Sequence, residues 1–210
     1  MNDLETQKLP TLEDLEVELE GFEAKRILVR SDLNVPITDG SIDDDLRIKG
    51  SLSTLEWLVE RKASVVVCSH LGRPAGREDD KYSIEPVKAK LLESLPNLEV
   101  LENLRFNPGE KANEESFVEY LISGAGGEPF DGYVNDAFGA SHREHASIVG
   151  PPKHLPSAAG SLLLKEVDVV QKILDKPKRP FLMVLGGAKV SDKLALIEKM
   201  GDSVDEMVIG

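Results

Sequence analysis

RILVR at residues 26–30 and SVVVCS at 64–69 are apolar runs of strand length, and between them Ile48, Leu52, Leu55 and Val59 fall on one helical face. Strand, helix, strand in that order reads as a crossover joining two parallel neighbours. The pattern recurs outward from there. LEVLE (98–102), DGYVN (131–135), FLMVLG (181–186) and DEMVIG (205–210) are further strand candidates, and apolar spacings of three and four predict helices at 85–95, 113–122, 158–174 and 191–201. This alternation predicts an α/β fold: a doubly wound parallel sheet in a Rossmann-like three-layer α/β/α arrangement.

The first four strand units occupy roughly residues 22–150. PPKHLP (151–156) then punctuates the chain ahead of the long helical pattern, and reads as a boundary or hinge. The expected organisation is one domain over residues 1–175, including the hinge helix, and the start of another over 176–210. A strand, a Gly-Gly turn, a helix and one more strand cannot close a separate core. The tail is therefore expected to open a second α/β domain whose remainder lies beyond this sequence.

The 210 residues are 40% hydrophobic and 30% charged, a globular balance unlike that of a disordered chain. No apolar run reaches bilayer-spanning length, and the acidic N-terminus has neither the basic nor the apolar region of a secretory signal, so a cytoplasmic protein is expected. The single cysteine, Cys68, has no disulfide partner and is expected to pack as a buried apolar residue. A net charge of −13 opposes binding to nucleic acid or an anionic membrane. An anionic ligand would then need a local cluster of positive charge, which makes the arginine positions informative.

Open parallel sheets bind ligands outside the carboxyl ends of their strands. After the first strand comes SDLNVP, with Asp32 and Asn34, and Arg47 opens the following helix. SHLGRP after the second strand carries His70 and Arg73, and NLRF after the third carries Arg105. NDAFGASHREHAS after the fourth carries Asp136, His142, Arg143 and His145. Arginine forks match phosphate and carboxylate oxygens, so a rim of arginines suits a small phosphorylated, anionic substrate. His70 is open to two readings, a donor to ligand or a structural contact. Asp32 and Asn34 either form an Asx-turn or accept from substrate hydroxyls. His142 and His145 lack the further ligands that a metal site needs, and no metal is expected there.

LGGAKVSDK (185–193) follows a strand and opens a helix, the geometry in which backbone amides hold phosphate. It has neither P-loop spacing nor the third glycine of a dinucleotide fingerprint, which disfavours a nicotinamide-dependent dehydrogenase. Lys189 and Lys193, four apart, either stand near that phosphate end or are surface lysines of an ordinary amphipathic helix. SGAGGEP (123–129) precedes a strand and is expected to be a flexible loop.

Taken together, RSDLNVP, Arg47, SHLGRP, LENLRF, VNDAFGASHREHAS and LGGAKVSDK resemble the phosphoglycerate kinase family, in order and at compatible spacing across nearly the whole chain. The resemblance implies two domains facing each other across a hinge. The first would bind 3-phosphoglycerate or 1,3-bisphosphoglycerate, and the second Mg-ATP or Mg-ADP as co-substrate. It implies substrate contacts from Asp32, Asn34, His70, Arg73, Arg105 and Arg143. Arg47 would neutralise the transferring phosphoryl group, and Gly186, Gly187, Lys189 and Lys193 would lie on the nucleotide side, the two lysines sharing the catalytic role with Arg47. It also implies a monomer in glycolysis. Family chains are roughly twice as long, so the metal site and most of the nucleotide site would lie outside this chain, and activity from it alone is not expected. A non-catalytic anion-binding or interaction module is the alternative.

Overall fold

The computed structural model describes residues 8–175, 177–187 and 194–210. The chain divides into two compact units, Met1–Leu164 and Lys165–Gly210. In chain order the first unit contains α1 (Leu12–Glu18), β1 (Arg26–Ser31), β2 (Ile37–Thr38), β3 (Ser41–Ile42), α2 (Leu46–Glu60), β4 (Ser64–Cys68), α3 (Glu85–Ser94) and β5 (Glu99–Val100). These are followed by α4 (Pro108–Ala112), α5 (Glu115–Ile122), β6 (Gly132–Asp136), α6 (Ala146–Val149), β7 (Ser157–Ala159) and the start of α7 (Ser161–Asp175). The second unit holds the rest of α7, then β8 (Leu182–Leu185), α8 (Leu194–Met200) and β9 (Glu206–Ile209), with β8 and β9 paired in parallel.

Five strands of the first unit form a parallel sheet in the order β5-β4-β1-β6-β7. Such a sheet is covered on both faces, so its strands are apolar throughout instead of alternating. Ile27 and Val29 of β1 belong to the core formed with Leu12 and Leu15 of α1, Leu55 and Leu58 of α2 and Leu91 of α3. Leu28 points the other way, packing with Val66, Cys68 and Tyr133 against Phe117 and Leu121 of α5. Each fully buried Leu or Ile contributes about 1.5–3 kcal/mol of burial free energy. Cys68 is buried as expected, and burial pushes its thiol up to about 12.

Several boundaries differ from the sequence reading. The helix expected at 113–122 starts two residues later, as α5, because Asn113 adopts a left-handed conformation (φ 53°) that caps a separate short helix, α4, absent from the sequence reading. The third strand is trimmed to two residues at a sheet edge. PPKHLP is no boundary of the sheet: Pro156 accepts from the Tyr133 amide at 2.9 Å and leads the chain into β7, an edge strand where a helix start was expected. Three small residues, Ser157, Ala158 and Ala159, carry no strand signal of their own; pairing with β6 makes them a strand. SGAGGEP is clasped by Arg26, whose guanidinium donates to the carbonyls of Gly124 and Glu128 and lies 4.5 Å from the centre of the Phe130 ring.

Two local signals also went unread. Thr11 and Asp14 form a reciprocal capping box that starts α1. Asp39 and Gly40, with φ of 49° and 78°, form the tight turn of the β2–β3 hairpin, the conformation that Asp-Gly pairs favour.

Candidate functional site

From β1 the chain runs outward through β4 to β5, then crosses back to place β6 and β7 on the other side of β1. The connections therefore leave β1 and β6 in opposite directions, which opens a crevice at their carboxyl ends. Ser31 and Asp136, register partners on β1 and β6, mark the floor of this crevice.

Around it the loops are tied to one another by side chains. Asn103 links the segments after β4 and β5: its Oδ1 accepts from the amides of Leu71 (3.2 Å) and Arg105 (3.1 Å), and its Nδ2 donates to the carbonyls of Leu71 and Tyr82, both at 2.8 Å. Asn34 Oδ1 accepts from the Gly72 amide at 2.7 Å, and Asp32 Oδ1 receives the Asn34 amide at 3.4 Å, the contact of an Asx-turn. Asp32 Oδ2 is paired with Arg47, whose side chain is half exposed. The two residues left open by the sequence thus have structural partners, and Asp32 connects the loop after β1 to the N-terminus of α2.

Arg73, Arg105 and Arg143 converge with Pro74 and Lys111 on a cavity of about 270 Å³. Among the described residues none of these four cations has a carboxylate within ion-pairing distance. Arg105 is buried, its Nη1 donates to the Gly72 carbonyl at 2.7 Å, and its Nε has no partner. Burial first, and then the positive charges of Arg143 and Arg30, pull its pKa below the ordinary arginine value. Like charges held this close repel one another unless an anion lies between them. Larger clefts beside Leu155–Ala159 (about 600 Å³) and beside Asp43–Asp45 (about 730 Å³) contain no arginine.

His70 is buried behind this cluster, with its Nδ1 3.0 Å from Nη2 of Arg30. Burial, reinforced by Arg30, Arg105, His145 and Arg143, pulls its pKa down to about 2, so the imidazole is neutral. His142 is exposed, whereas His145 is buried with its Nδ1 3.7 Å from Glu110. Burial holds the His145 pKa below the usual histidine value, against the opposing charge of Glu110.

Asp136 faces inward. Its Oδ1 accepts from the Leu162 and Leu163 amides at 2.9 and 3.1 Å, so it anchors the first turn of α7 to the end of β6. A Cβ on Gly160 would lie 2.2 Å from that oxygen, so only glycine leaves room for the anchor. Gly186 and Gly187 follow β8 in the second unit; Gly187 has φ 134°, and a Cβ on Gly186 would meet no atom within 4 Å. Lys189 and Lys193 lie outside the described residues.

The sequence reading missed Lys111, which sits in a short helix after NLRF, and the buried set Arg30, Glu110 and Ser147. Arginine inside the apolar run RILVR was the available signal, since a charge in a central strand must be paired.

The sequence pattern of the family described as phosphoglycerate kinase matches residues 16–100 and 96–210. A phosphoglycerate kinase of Thermomicrobium roseum is 42% identical over 95% of this chain and 55% of its own length, and one of Rubrobacter xylanophilus is 44% identical over 93% and 54%. Among solved structures, phosphoglycerate kinase from Coxiella burnetii superimposes with a TM-score of 0.83 at 32% identity, covering 97% of this chain and 55% of that one. The enzyme from Pyrococcus horikoshii gives 0.81 at 30% identity, covering 96% and 55%. The chain spans little more than half the length of the relatives it matches. With the family pattern running from residue 16 to residue 210 and the doubly wound fold shared, the chain belongs to the phosphoglycerate kinase family.

Proposed function

We propose that this chain forms the 3-phosphoglycerate-binding half of a phosphoglycerate kinase, an enzyme of glycolysis that moves a phosphoryl group reversibly between 1,3-bisphosphoglycerate and ADP. The observation that carries the reading is the convergence of Arg73, Arg105, Arg143 and Lys111 on one small cavity with no carboxylate among them. A chain of net charge −13 concentrates uncompensated cations in this way to hold a compact anion. Phosphoryl transfer needs positioning and charge neutralisation more than acid–base help, because the attacking carboxylate is already ionised.

On this reading Arg73, Arg105 and Arg143 grip the substrate phosphate, His70 donates to it, and Asp32 and Asn34 shape the glycerate end. Arg47, half exposed on the rim, faces the group in transfer. Gly186, Gly187, Lys189 and Lys193 serve the nucleotide phosphates, residues 1–175 form the substrate domain and 176–210 begin the nucleotide domain. Mg-ATP or Mg-ADP is the co-substrate, with its metal site outside this chain. The enzyme is cytoplasmic and monomeric; among the described residues no helix is long and apolar enough to cross a membrane, which fits that placement.

Calorimetric titration with 3-phosphoglycerate tests the pocket. Arg73→Ala removes a charge-assisted contact, and should weaken binding about 10- to 100-fold, since a hydrogen bond to a charged group contributes about 1.5–3 kcal/mol. Equal affinity in the variant would overturn the assignment. In the full-length enzyme, Arg47→Ala should lower kcat far more than it raises KM, the signature of a contact made chiefly in the transition state.

A further inference from the structure

Beneath the cation cluster lies a row of polar groups that no substrate reaches. Arg30, Glu110 and Ser147 each have no exposed surface. Arg30 Nε donates to Ser147 Oγ at 3.0 Å, Nη1 donates to the Ser31 carbonyl at 2.6 Å, and Nη2 meets His70 Nδ1 at 3.0 Å. Ser147 in turn donates through its hydroxyl to Glu110 Oε1 at 2.7 Å and through its amide to Glu110 Oε2 at 2.9 Å. We propose that Glu110, Ser147 and Arg30 are positioning residues: a buried relay that fixes His70 in the tautomer carrying its single proton on Nε2, and so sets it as an uncharged donor for the anion pocket.

The directions follow from what each group can do. A guanidinium only donates, so Nδ1 of His70 must accept and carries no proton. A neutral ring then bears its hydrogen on Nε2, and a second proton at Nδ1 would set donor against donor. At the other end Ser147 Oγ accepts from Arg30, so its own hydrogen turns to Glu110, whose oxygens only accept while it is ionised. The carboxylate thereby compensates the buried guanidinium, through one hydroxyl, at the edge of a pocket already crowded with Arg73, Arg105 and Arg143. A buried charge without such a partner is strongly unfavourable.

The charged and titratable groups that act on His70 do so in the same sense. Arg30 from β1, Arg105 from the turn after β5, and His145 and Arg143 from the segment after β6 all oppose protonation, and Glu110 on α4 is engaged with Ser147. An ordinary surface histidine strengthens its hold on an anion as it charges below its usual pKa. His70, locked neutral, instead supplies the same donor across the physiological range. Selection of the ring proton by a partner on the other nitrogen is the device that metal-binding histidines use, with an arginine here in the orienting place.

The role of His70 toward an anion rests on the function proposed above, whereas its tautomer does not, so the two are tested separately. In long-range proton–nitrogen NMR spectra of the ligand-free chain labelled at histidine, His70 should show a protonated Nε2 and an unprotonated Nδ1, unchanged between pH 5 and 8. Ser147→Ala and Glu110→Gln should loosen Arg30 from the ring and give mixed Nδ1 and Nε2 tautomers, with the ring still neutral across that range. A proton on Nδ1, or titration of His70 between pH 5 and 8 in the wild-type chain, would overturn the relay whether or not the variants fold. Folded variants with unaltered His70 signals would equally remove Ser147 and Glu110 from it. Failure of the wild-type chain to bind 3-phosphoglycerate, with the tautomer as stated, would count against the substrate and leave the relay standing.

Discussion

Replacing Asp136 by asparagine changes one proton-binding site and almost no shape. Its carboxylate is buried at the junction of β6 and α7, with one oxygen accepting two helix amides and the other unpartnered. Burial pushes its pKa up from 3.8 to about 6. The folded state therefore holds a proton that the unfolded state has lost between these values, and stability falls as pH rises through that window. The full difference is about 3 kcal/mol, of which about 2 kcal/mol lies between pH 4.5 and 7.5. Asparagine keeps the acceptor for Leu162 and Leu163 but has nothing to ionise. Its amide group takes the place of the unpartnered oxygen, which lowers stability by a fixed amount at every pH. The diagnostic quantity is thus the slope: the variant should gain about 2 kcal/mol on the wild-type chain as urea melts move from pH 4.5 to 7.5. Parallel stability curves would show that Asp136 ionises freely in the folded protein, and would refute the argument.

His70 should give the opposite slope. Its pKa of about 2 when folded lies below the ordinary 6.5, so the unfolded state binds the extra proton and stability falls as pH drops below 6.5. His70→Asn should recover about 2 kcal/mol relative to the wild-type chain between pH 7.5 and 5, and a pH-independent difference in urea melts would contradict a neutral buried ring. Leu55→Ala removes a fully buried side chain where α2 packs on the sheet, and chemical denaturation should show a loss of about 2–5 kcal/mol. A loss under about 1 kcal/mol would mean that this face of the sheet can collapse around the cavity.

Much of the molecule was legible because parallel α/β folds write themselves in hydrophobic runs. RILVR, SVVVCS and DGYVN became the three central strands, since a strand buried on both faces must be apolar along its length. The arginines after these strands and after β5 were equally visible, and Arg73, Arg105 and Arg143 share a cavity. Elements held by partners were not legible. The small residues of β7 form a strand only beside β6, and the left-handed Asn113 ends a short helix, α4, that apolar spacing does not show. Asp136 stood among rim residues in sequence, yet the fold turns it inward to α7. Lys111 and Arg30 were hidden for related reasons, one on a short helix brought to the pocket by the chain's path and the other inside a strand.

By itself the sequence determined the α/β class, the order along the chain of the long apolar strands and the main helices, and the residues that follow those strands, because periodicity and turn chemistry are local. The order of strands across the sheet was decided only in three dimensions, where β1 came to lie between β4 and β6. That choice opens the crevice, brings Arg73, Arg105, Lys111 and Arg143 around one cavity, and places Arg30 between His70 and Ser147. Local pattern cannot specify it, because hydrogen bonds between strands and the charges they carry together join residues scores of positions apart.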